Sequence, residues 1–455
     1  MTEQNFISGA FTLMSAGVIV KALGFFYQIV IVRIVGTEGI GIFNMVYPLY
    51  TMAMVLTCAG IPAAIVRLAP EYRELDTAGD SRGLLRMAET LLTLSTSVVT
   101  GLLILISPAL MRYLYQDPRV IPPFLLLLPS LLLIAVSSAI RAYFQGNRDM
   151  RPTAGAQLIE QITRVVTGLG LAWLAAPYGL HWMLIAMAAG VLCSEFAGFL
   201  YLWWRFSRQT RERSLLRRPS KEVSKAIYRF GLPLTVTRLL LSASGAAEAM
   251  VLPARLLSLG LNASQSAAFY GQITGVVFPL LNIPAILTSS VSTAIIPTIA
   301  EAQARRDYHL MTRRIIQALG LTLLIGIPIS VFLFYFGPKL ASVLFHVEEA
   351  GPLIQWLAPA GLFLWLSQLS SGILQGMGLV VQGSINTLVS CSLRLACLWY
   401  FTVSFADYSA GVCAAYVLSF VTNALLNLIL IRRHSAGWIK AGLDSCRTGI
   451  YKVQG

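Results

Sequence analysis

Apolar positions along this chain come in long unbroken blocks, interrupted by short polar clusters rich in Lys, Arg, Gly and Pro. A block that is apolar on every side has no solvated face. It reads as a helix surrounded by lipid, and about 20 residues of it cross a hydrocarbon core of roughly 30 Å. Such blocks lie near Phe6 to Val32, Gly39 to Leu68, Ala88 to Leu110, Ile121 to Phe144, Thr153 to Ala176 and Trp182 to Trp204. A second set lies near Phe230 to Leu257, Ala267 to Ile299, Ile315 to Phe345, Leu353 to Gln375, Ser384 to Phe405 and Gly411 to Ile431. The pattern predicts an all-α integral membrane protein of twelve spans. Its expected divisions are an N-terminal six-helix bundle (1–204), a basic linker (205–229), a C-terminal six-helix bundle (230–431) and a basic tail (432–455).

Sliding the chain on itself by 230 residues superposes the two halves. Gln145-Gly146 falls on Gln375-Gly376, Arg164 on Arg394, Ala64-Ile65-Val66 on Ala294-Ile295-Ile296, and Glu71 on Glu301. Six spans per half with the same sidedness imply parallel repeats related by an axis along the membrane normal, an arrangement that places substrate between the halves.

Composition agrees with the pattern, since 56% hydrophobic and 12% charged residues leave no soluble core with a solvated skin. Charge then sets the orientation. With the N-terminus inside, the inner loops and tail hold 23 Lys and Arg residues, whereas the outer segments hold Arg33, Arg112, Arg119 and Lys339. Cytoplasmic segments collect basic residues, so both termini are expected in the cytoplasm. The net charge of +14 is read as this topology signal together with attraction to anionic membrane lipids, and nucleic acid is not an expected partner. Within the linker, Arg205 to Arg229 is either a solvated connection or a cationic helix lying on the inner leaflet. The first block lacks a basic flank and a small-residue cleavage site, so it is expected to be a retained span.

Six cysteines and four histidines form neither a C-x-x-C motif nor a ligand-spaced cluster, and no metal site is expected. The glycines of Gly36 to Phe43 lie in a turn between membrane helices with no strand before them, so they are not a phosphate loop. No cofactor is expected. Membrane potential, a proton or a sodium ion are the candidate driving forces.

Seven basic residues fall inside the spans (Lys21, Arg67, Arg141, Arg164, Arg238, Arg255 and Arg394), against Glu160, Glu195 and Glu248. A charge at bilayer depth costs about 2.5–3.5 kcal/mol even on lenient insertion scales, so it survives mainly where it faces a wet interior or a partner. The fifth span is the most informative, because Gln157, Glu160, Gln161, Arg164 and Gly168 recur at helical spacing as one polar stripe. Its counterpart keeps Thr387, Ser390, Cys391 and Arg394 without an acid. Glu160 and Arg164 can neutralise each other as an i, i+4 pair, and Glu195 can meet Arg164, Arg394 or a coupling cation. Pro233 and Pro253 mark either a hinge in the seventh span or plain kinks. Arginine donates two parallel hydrogen bonds from a permanently charged plane, so a phosphate group is the natural ligand of a cavity lined by Arg164, Arg394, Lys21 and Arg238. Glu160, Glu195 and Glu248 are the candidate orienting or coupling acids.

The run Arg141 to Val166, RAYFQGNRDMRPTAGAQLIEQITRVV, resembles the signature around the fourth and fifth helices of the stage V sporulation protein B and polysaccharide-biosynthesis family, and Arg33 to Tyr50 resembles its first turn and second helix. The resemblance implies the exporter (MATE-like) fold of the multidrug, oligosaccharidyl-lipid and polysaccharide exporter superfamily, in the bacterial cytoplasmic membrane. It further implies a lipid-linked saccharide as partner, flipped by alternating access between two bundles, with a monomer as the transport unit. Basic residues lining the cavity of such flippases match Arg164 within the quoted run, and Arg394, Lys21 and Arg238 by span position and charge. Three other readings stand beside it: a cation-coupled drug exporter of the same fold, a membrane-embedded glycan polymerase or ligase, and a sporulation scaffold without transport. Exporters of cations favour cavity acids, and the intramembrane excess here is basic; a polymerase needs a catalytic group on a substantial outer loop, and the outer loops are short.

The loop asymmetry makes a direct prediction. In a background cleared of the six native cysteines, cysteines placed at Ser214 and Ser435 react with an impermeant maleimide only from the cytoplasm, and one at Tyr178 only from outside. Labelling of position 214 from outside would reverse the orientation.

Overall fold

The computed structural model describes residues 3–58, 60–66, 78–115, 117–147, 149–209 and 221–447. Within them the chain is helical almost throughout: α1 (Glu3–Cys58), α2 (Ala78–Tyr115), α3 (Ile121–Leu127), α4 (Ser130–Gly146), α5 (Arg151–Ala175), α6 (Leu180–Gln209), α7 (Lys221–Ser258), α8 (Ala263–Gln272), α9 (Phe278–Ala304), α10 (Tyr308–Leu340), α11 (Ala350–Gly376), α12 (Val380–Ser404) and α13 (Tyr408–Arg447). Eleven helical stretches among the described residues are long and apolar enough to cross a membrane. The first, Ser15–Cys58, has 44 residues. As one rod it would be about 66 Å long, twice the hydrocarbon thickness. It is broken at Gly36, whose φ of 78° and ψ of 170° belong to no helix and favour glycine. Two crossings therefore share α1, which makes twelve crossings among the described residues.

Two compact units divide the chain: residues 1–276 with 344–346, and residues 277–343 with 347–455. This boundary differs from the repeat boundary at 230, because α7 and α8 pack on α1 in the first unit. The α1–α8 crossing is unusually close. A Cβ added at Gly41 would collide with the carbonyl of Ala267, and one added at Gly271 with the carbonyl of Thr37. Thr37 and Ala267 are 230 residues apart, as are Gly41 and Gly271, so the contact is reciprocal between repeat counterparts. Asn44 Nδ2 donates to Thr274 Oγ1 at 2.9 Å, another pair with that spacing. A contact made reciprocally by counterparts is self-complementary, as at a two-fold interface. A π turn at Ile273–Val277 follows α8, and its Gly275 carbonyl accepts from Gln28 Nε2 at 3.1 Å.

A polar clamp sits at the same crossing. Arg119 Nη1 reaches Glu38 Oε1 at 2.5 Å and its Nη2 reaches Asp117 Oδ2 at 2.8 Å, while the Ser264 hydroxyl donates to Glu38. Arg33, read as an outer-loop cation, donates from Nε to the Leu344 carbonyl at 2.6 Å. Tyr115 Oη donates to the Met45 carbonyl at 2.7 Å, tying α2 to α1.

In the second unit α11 is the central helix, with Trp365 fully buried and its indole N–H donating to the Leu281 carbonyl at 2.8 Å. Packing runs from α11 to α9, α10 and α13, and from α13 to α12. Repeat symmetry extends to helix ends. α4 stops at Gly146 with Asn147 N bonded to Tyr143 O and Asp149 N to Phe144 O; α11 stops at Gly376 with Met377 N bonded to Ile373 O and Leu379 N to Leu374 O. Of the two readings of Pro233 and Pro253, a hinge or plain kinks, neither interrupts the helix, since α7 remains helical through both from Lys221 to Ser258. Its first turns extend into the expected linker. Residues 210–220, Arg67, Glu71 and the tail from 448 lie outside the described residues.

Because the α1–α8 crossing has no room for a side chain, Gly41→Val and Gly271→Val are each expected to lower stability by roughly 1–3 kcal/mol, the usual range for overpacking. Gly170→Ala, where a Cβ meets nothing within 4 Å, should be neutral or slightly stabilising. Thermal unfolding in detergent distinguishes them, and equal midpoints for all three variants would refute the close crossing.

Candidate functional site

The candidate site is built on α4, α5 and α6 of the first unit. Pro152 sits in the first turn of α5, where its missing N–H is harmless. The polar stripe of α5 faces protein on both flanks. On one flank Gly24 of α1 approaches the Gln161 amide (3.6 Å from a Cβ there), and Gly168 packs against the Tyr27 ring. On the other flank α6 comes so close that a Cβ at Gly190 would lie 2.6 Å from the Gly168 Cα. Thr167 Oγ1, which donates to the Thr163 carbonyl at 2.7 Å, lies 3.4 Å from the Gly190 carbonyl across the same contact.

This proximity decides how the charges pair. Glu160 does not neutralise Arg164 within the helix. It takes an ion pair from Arg141 Nη2 of α4, while Arg164 Nη2 reaches Glu195 Oε1 of α6 at 3.1 Å and its Nε donates to Ser194 Oγ at 3.3 Å. Four charges on three helices thus form two inter-helix pairs. A Cβ at Gly198 would collide with the Glu160 carboxylate, so α6 keeps a glycine where the acid must fit. Arg141 and Arg164 keep about a fifth to a quarter of their side-chain surface exposed (21% and 25%).

Beside the pairs lies a cavity of about 480 Å3, lined by α1, residues 60–66, α4 and α7. Arg141 and Arg238 supply its positive charge, and Ser138 and Gln145 its neutral polar groups. Arg141 Nε is buried without a hydrogen-bond partner. Lys21 and Arg238 are exposed on α1 and α7, and Glu248 is buried on α7. In the second unit the Arg394 guanidinium lies 5.5 Å from the Tyr416 ring centroid and donates to Cys391 Sγ at 3.7 Å, a cation–π geometry. No group of His, Cys, Asp and Glu suited to a metal ion occurs among the described residues.

The structure therefore brings Glu160, Arg164 and Glu195 together, adds Arg141 to them, and sets Arg238 beside Arg141 on the cavity. Arg141 is visible in the sequence as an intramembrane cation, but its partner lies 19 residues away on the next helix, a spacing that carries no local signal. The clamp of Glu38, Arg119, Asp117 and Ser264 leaves no mark in the hydropathy pattern; the 230-residue offset of Gly41 and Gly271 is the one sequence signal of the crossing it guards.

A profile described as "Polysaccharide biosynthesis protein" matches residues 6–303, well over half of the chain, and one described as "MatE" matches residues 273–399. Stage V sporulation protein B of Bacillus subtilis (strain 168) is 27% identical over 95% of this chain and 85% of its own length. Lipid II flippase MurJ of the same organism is 22% identical over 95% of this chain and 84% of its own length. Among solved structures, the inward-facing conformation of a multidrug resistance MATE family transporter of the MOP superfamily superposes with a TM-score of 0.74 at 16% identity, covering 92% of this chain and 96% of that one. With its helical crossings, its internal repeat and these relatives, the chain belongs to the polysaccharide biosynthesis protein family, as a multi-pass membrane transporter of the MOP exporter superfamily and not an enzyme.

Proposed function

We propose that this protein flips an undecaprenyl-pyrophosphate-linked saccharide across the bacterial cytoplasmic membrane by alternating access, with the pyrophosphate held by the arginines of the first unit. The observation that carries the reading is the cavity lined by Arg141 and Arg238, with Arg141 presenting a buried, unpartnered Nε beside it. Two guanidinium groups at one cavity suit an anion that accepts several hydrogen bonds at once. Arg164, Arg394 and Lys21 are proposed as further contacts along the route. Glu160 and Glu195 are proposed to orient Arg141 and Arg164 rather than to bind a cation. Both termini are proposed to be cytoplasmic. Kinship with a protein named as a lipid II flippase supports the lipid-linked substrate class.

Export of cationic drugs is the competing reading, since the fold is shared with a multidrug transporter. The acids of the site argue against it, because Glu160 and Glu195 are each ion-paired with arginine.

Proteoliposomes containing only this protein and a defined undecaprenyl-pyrophosphate saccharide test the proposal. Arg238→Ala, at an exposed position, is expected to lower the flipping rate tenfold or more with an unchanged unfolding midpoint, and Arg238→Lys to recover only part. Arg164→Ala strands Glu195, so it is measured alongside Arg164→Ala/Glu195→Gln, and flipping should be lost in both. Cells lacking the protein should show unaltered sensitivity to cationic dyes. Full flipping by the Arg238 and Arg164 variants, or dye hypersensitivity reversed by the wild-type chain, would overturn the assignment.

A further inference from the structure

The second unit holds its own cavity, of about 550 Å3, between α9, α11, α12 and α13. It is the repeat counterpart of the arginine-lined cavity in the first unit. Eight of the twelve residues lining each cavity stand 230 positions from a residue lining the other. The chemistry differs at four of these shared positions. Pro62 corresponds to Ser292, Ala63 to Thr293, Ser138 to Gln368 and Arg141 to Ser371, while Gln145 corresponds to Gln375. Two apolar groups and one cation thus become hydroxyls, one hydroxyl becomes an amide, and the other four positions keep their character. None of the residues lining the second cavity carries a charge.

The lining surface is mostly apolar with a minority of hydroxyl and amide groups, and such groups are costly to enclose in a membrane protein unless they are satisfied. The hydroxyls are partly satisfied by their own helices: Thr293 donates to the Ser289 carbonyl at 2.8 Å, Ser371 to that of Ser367 at 2.8 Å and Thr387 to that of Gly383 at 3.1 Å. A hydroxyl that donates backwards keeps acceptor lone pairs. Asn423 goes further, for its amide oxygen is buried with no hydrogen-bond partner while the residue lines the cavity. The volume falls within the about 300–1,000 Å3 typical of small-ligand sites.

We infer that this cavity is a binding site for a neutral sugar ring bearing hydroxyl and N-acetyl groups, the saccharide end of the transported lipid, and this rests on the flippase reading above. Hydroxyl and amide N–H donors of such a ring match the acceptors offered by Ser371, Thr387 and the Asn423 oxygen, and its oxygens match the amide donors of Gln368 and Gln375. An anion finds no cation among the lining residues. An alkyl chain would leave the Asn423 oxygen unsatisfied.

Two lipids separate the inference from the reading beneath it: an undecaprenyl pyrophosphate carrying an N-acetylated disaccharide, and bare undecaprenyl pyrophosphate. Binding of each to purified protein in nanodiscs is measured for the wild type, Gln368→Leu and Asn423→Leu. Each substitution removes one or two hydrogen bonds, so each should weaken binding of the glycosylated lipid by about tenfold and leave the bare lipid unchanged. As a second readout needing neither variant, a soluble N-acetylated disaccharide should protect Thr387→Cys from a maleimide. Equal binding of the glycosylated lipid by the wild type and both leucine variants, with no protection at position 387, would overturn the inference while leaving the flippase reading intact. Failure of the wild type to bind either lipid would overturn both.

Discussion

The packing of α4, α5 and α6 in the first unit follows from one constraint: a charge at membrane depth must be paired or wet. Arg141, Glu160, Arg164 and Glu195 satisfy it by pairing across three helices rather than along one. That choice dictates the packing. α6 must approach α5 closely enough for Ser194 and Glu195 to reach Arg164, which demands the small residues Gly168 and Gly190 at the crossing and Gly198 beneath the Glu160 carboxylate. Glycine weakens a helix interior by roughly 0.5–1 kcal/mol relative to alanine, so these positions are kept for the contact and not for the helix. Removal of one partner from a buried pair typically destabilises by about 3–5 kcal/mol, which outweighs the glycine cost, so the ion pairs govern what residues α6 can carry.

The same reasoning separates the halves. They share a fold, a helix-end geometry at Gly146 and Gly376, and a reciprocal crossing at Gly41 and Gly271. They do not share electrostatics. The first unit concentrates its intramembrane charges into pairs beside a cationic cavity. Besides Arg394, held over the Tyr416 ring, the second sets neutral polar groups in its interior: Asn427 is fully buried yet donates to Ser370 Oγ at 3.2 Å and accepts from Asn386 at 3.0 Å. A duplicated scaffold that has diverged in this way can present charge and neutral polarity at equivalent places, which suits an amphiphile with chemically distinct parts better than a uniform cation.

Span number, the repeat and the α5 stripe were legible in the sequence because each is a periodicity, and lipid imposes periodicity strictly. The partner of each charge was not. Spacing made Glu160 and Arg164 neighbours on one helix, but the i, i+4 interaction is worth only about 0.2–0.5 kcal/mol, and better-placed groups on α4 and α6 outcompete it. Pro233 and Pro253 were equally ambiguous, since a proline in a membrane helix need not break it when neighbours re-satisfy the freed carbonyl. The Glu38–Arg119 clamp joins residues 81 positions apart, and only the three-dimensional crossing of α1 reveals it.

The pairing of Arg141 with Glu160 has a further consequence for how a carrier works. A guanidinium offers five N–H donors, and Glu160 is met by Nη2 alone, so Arg141 can hold a phosphate oxygen without releasing its acid. In the proposed flippase the carboxylate also offsets part of the positive potential that a bound phosphate would feel. A bare arginine cluster would bind pyrophosphate more tightly, but a carrier must also let go, and binding that is equally tight in every state shifts no equilibrium between them. In the proposed flippase, paired arginines with spare donors meet both demands: geometry selects the anion, and the neighbouring acids shorten its residence.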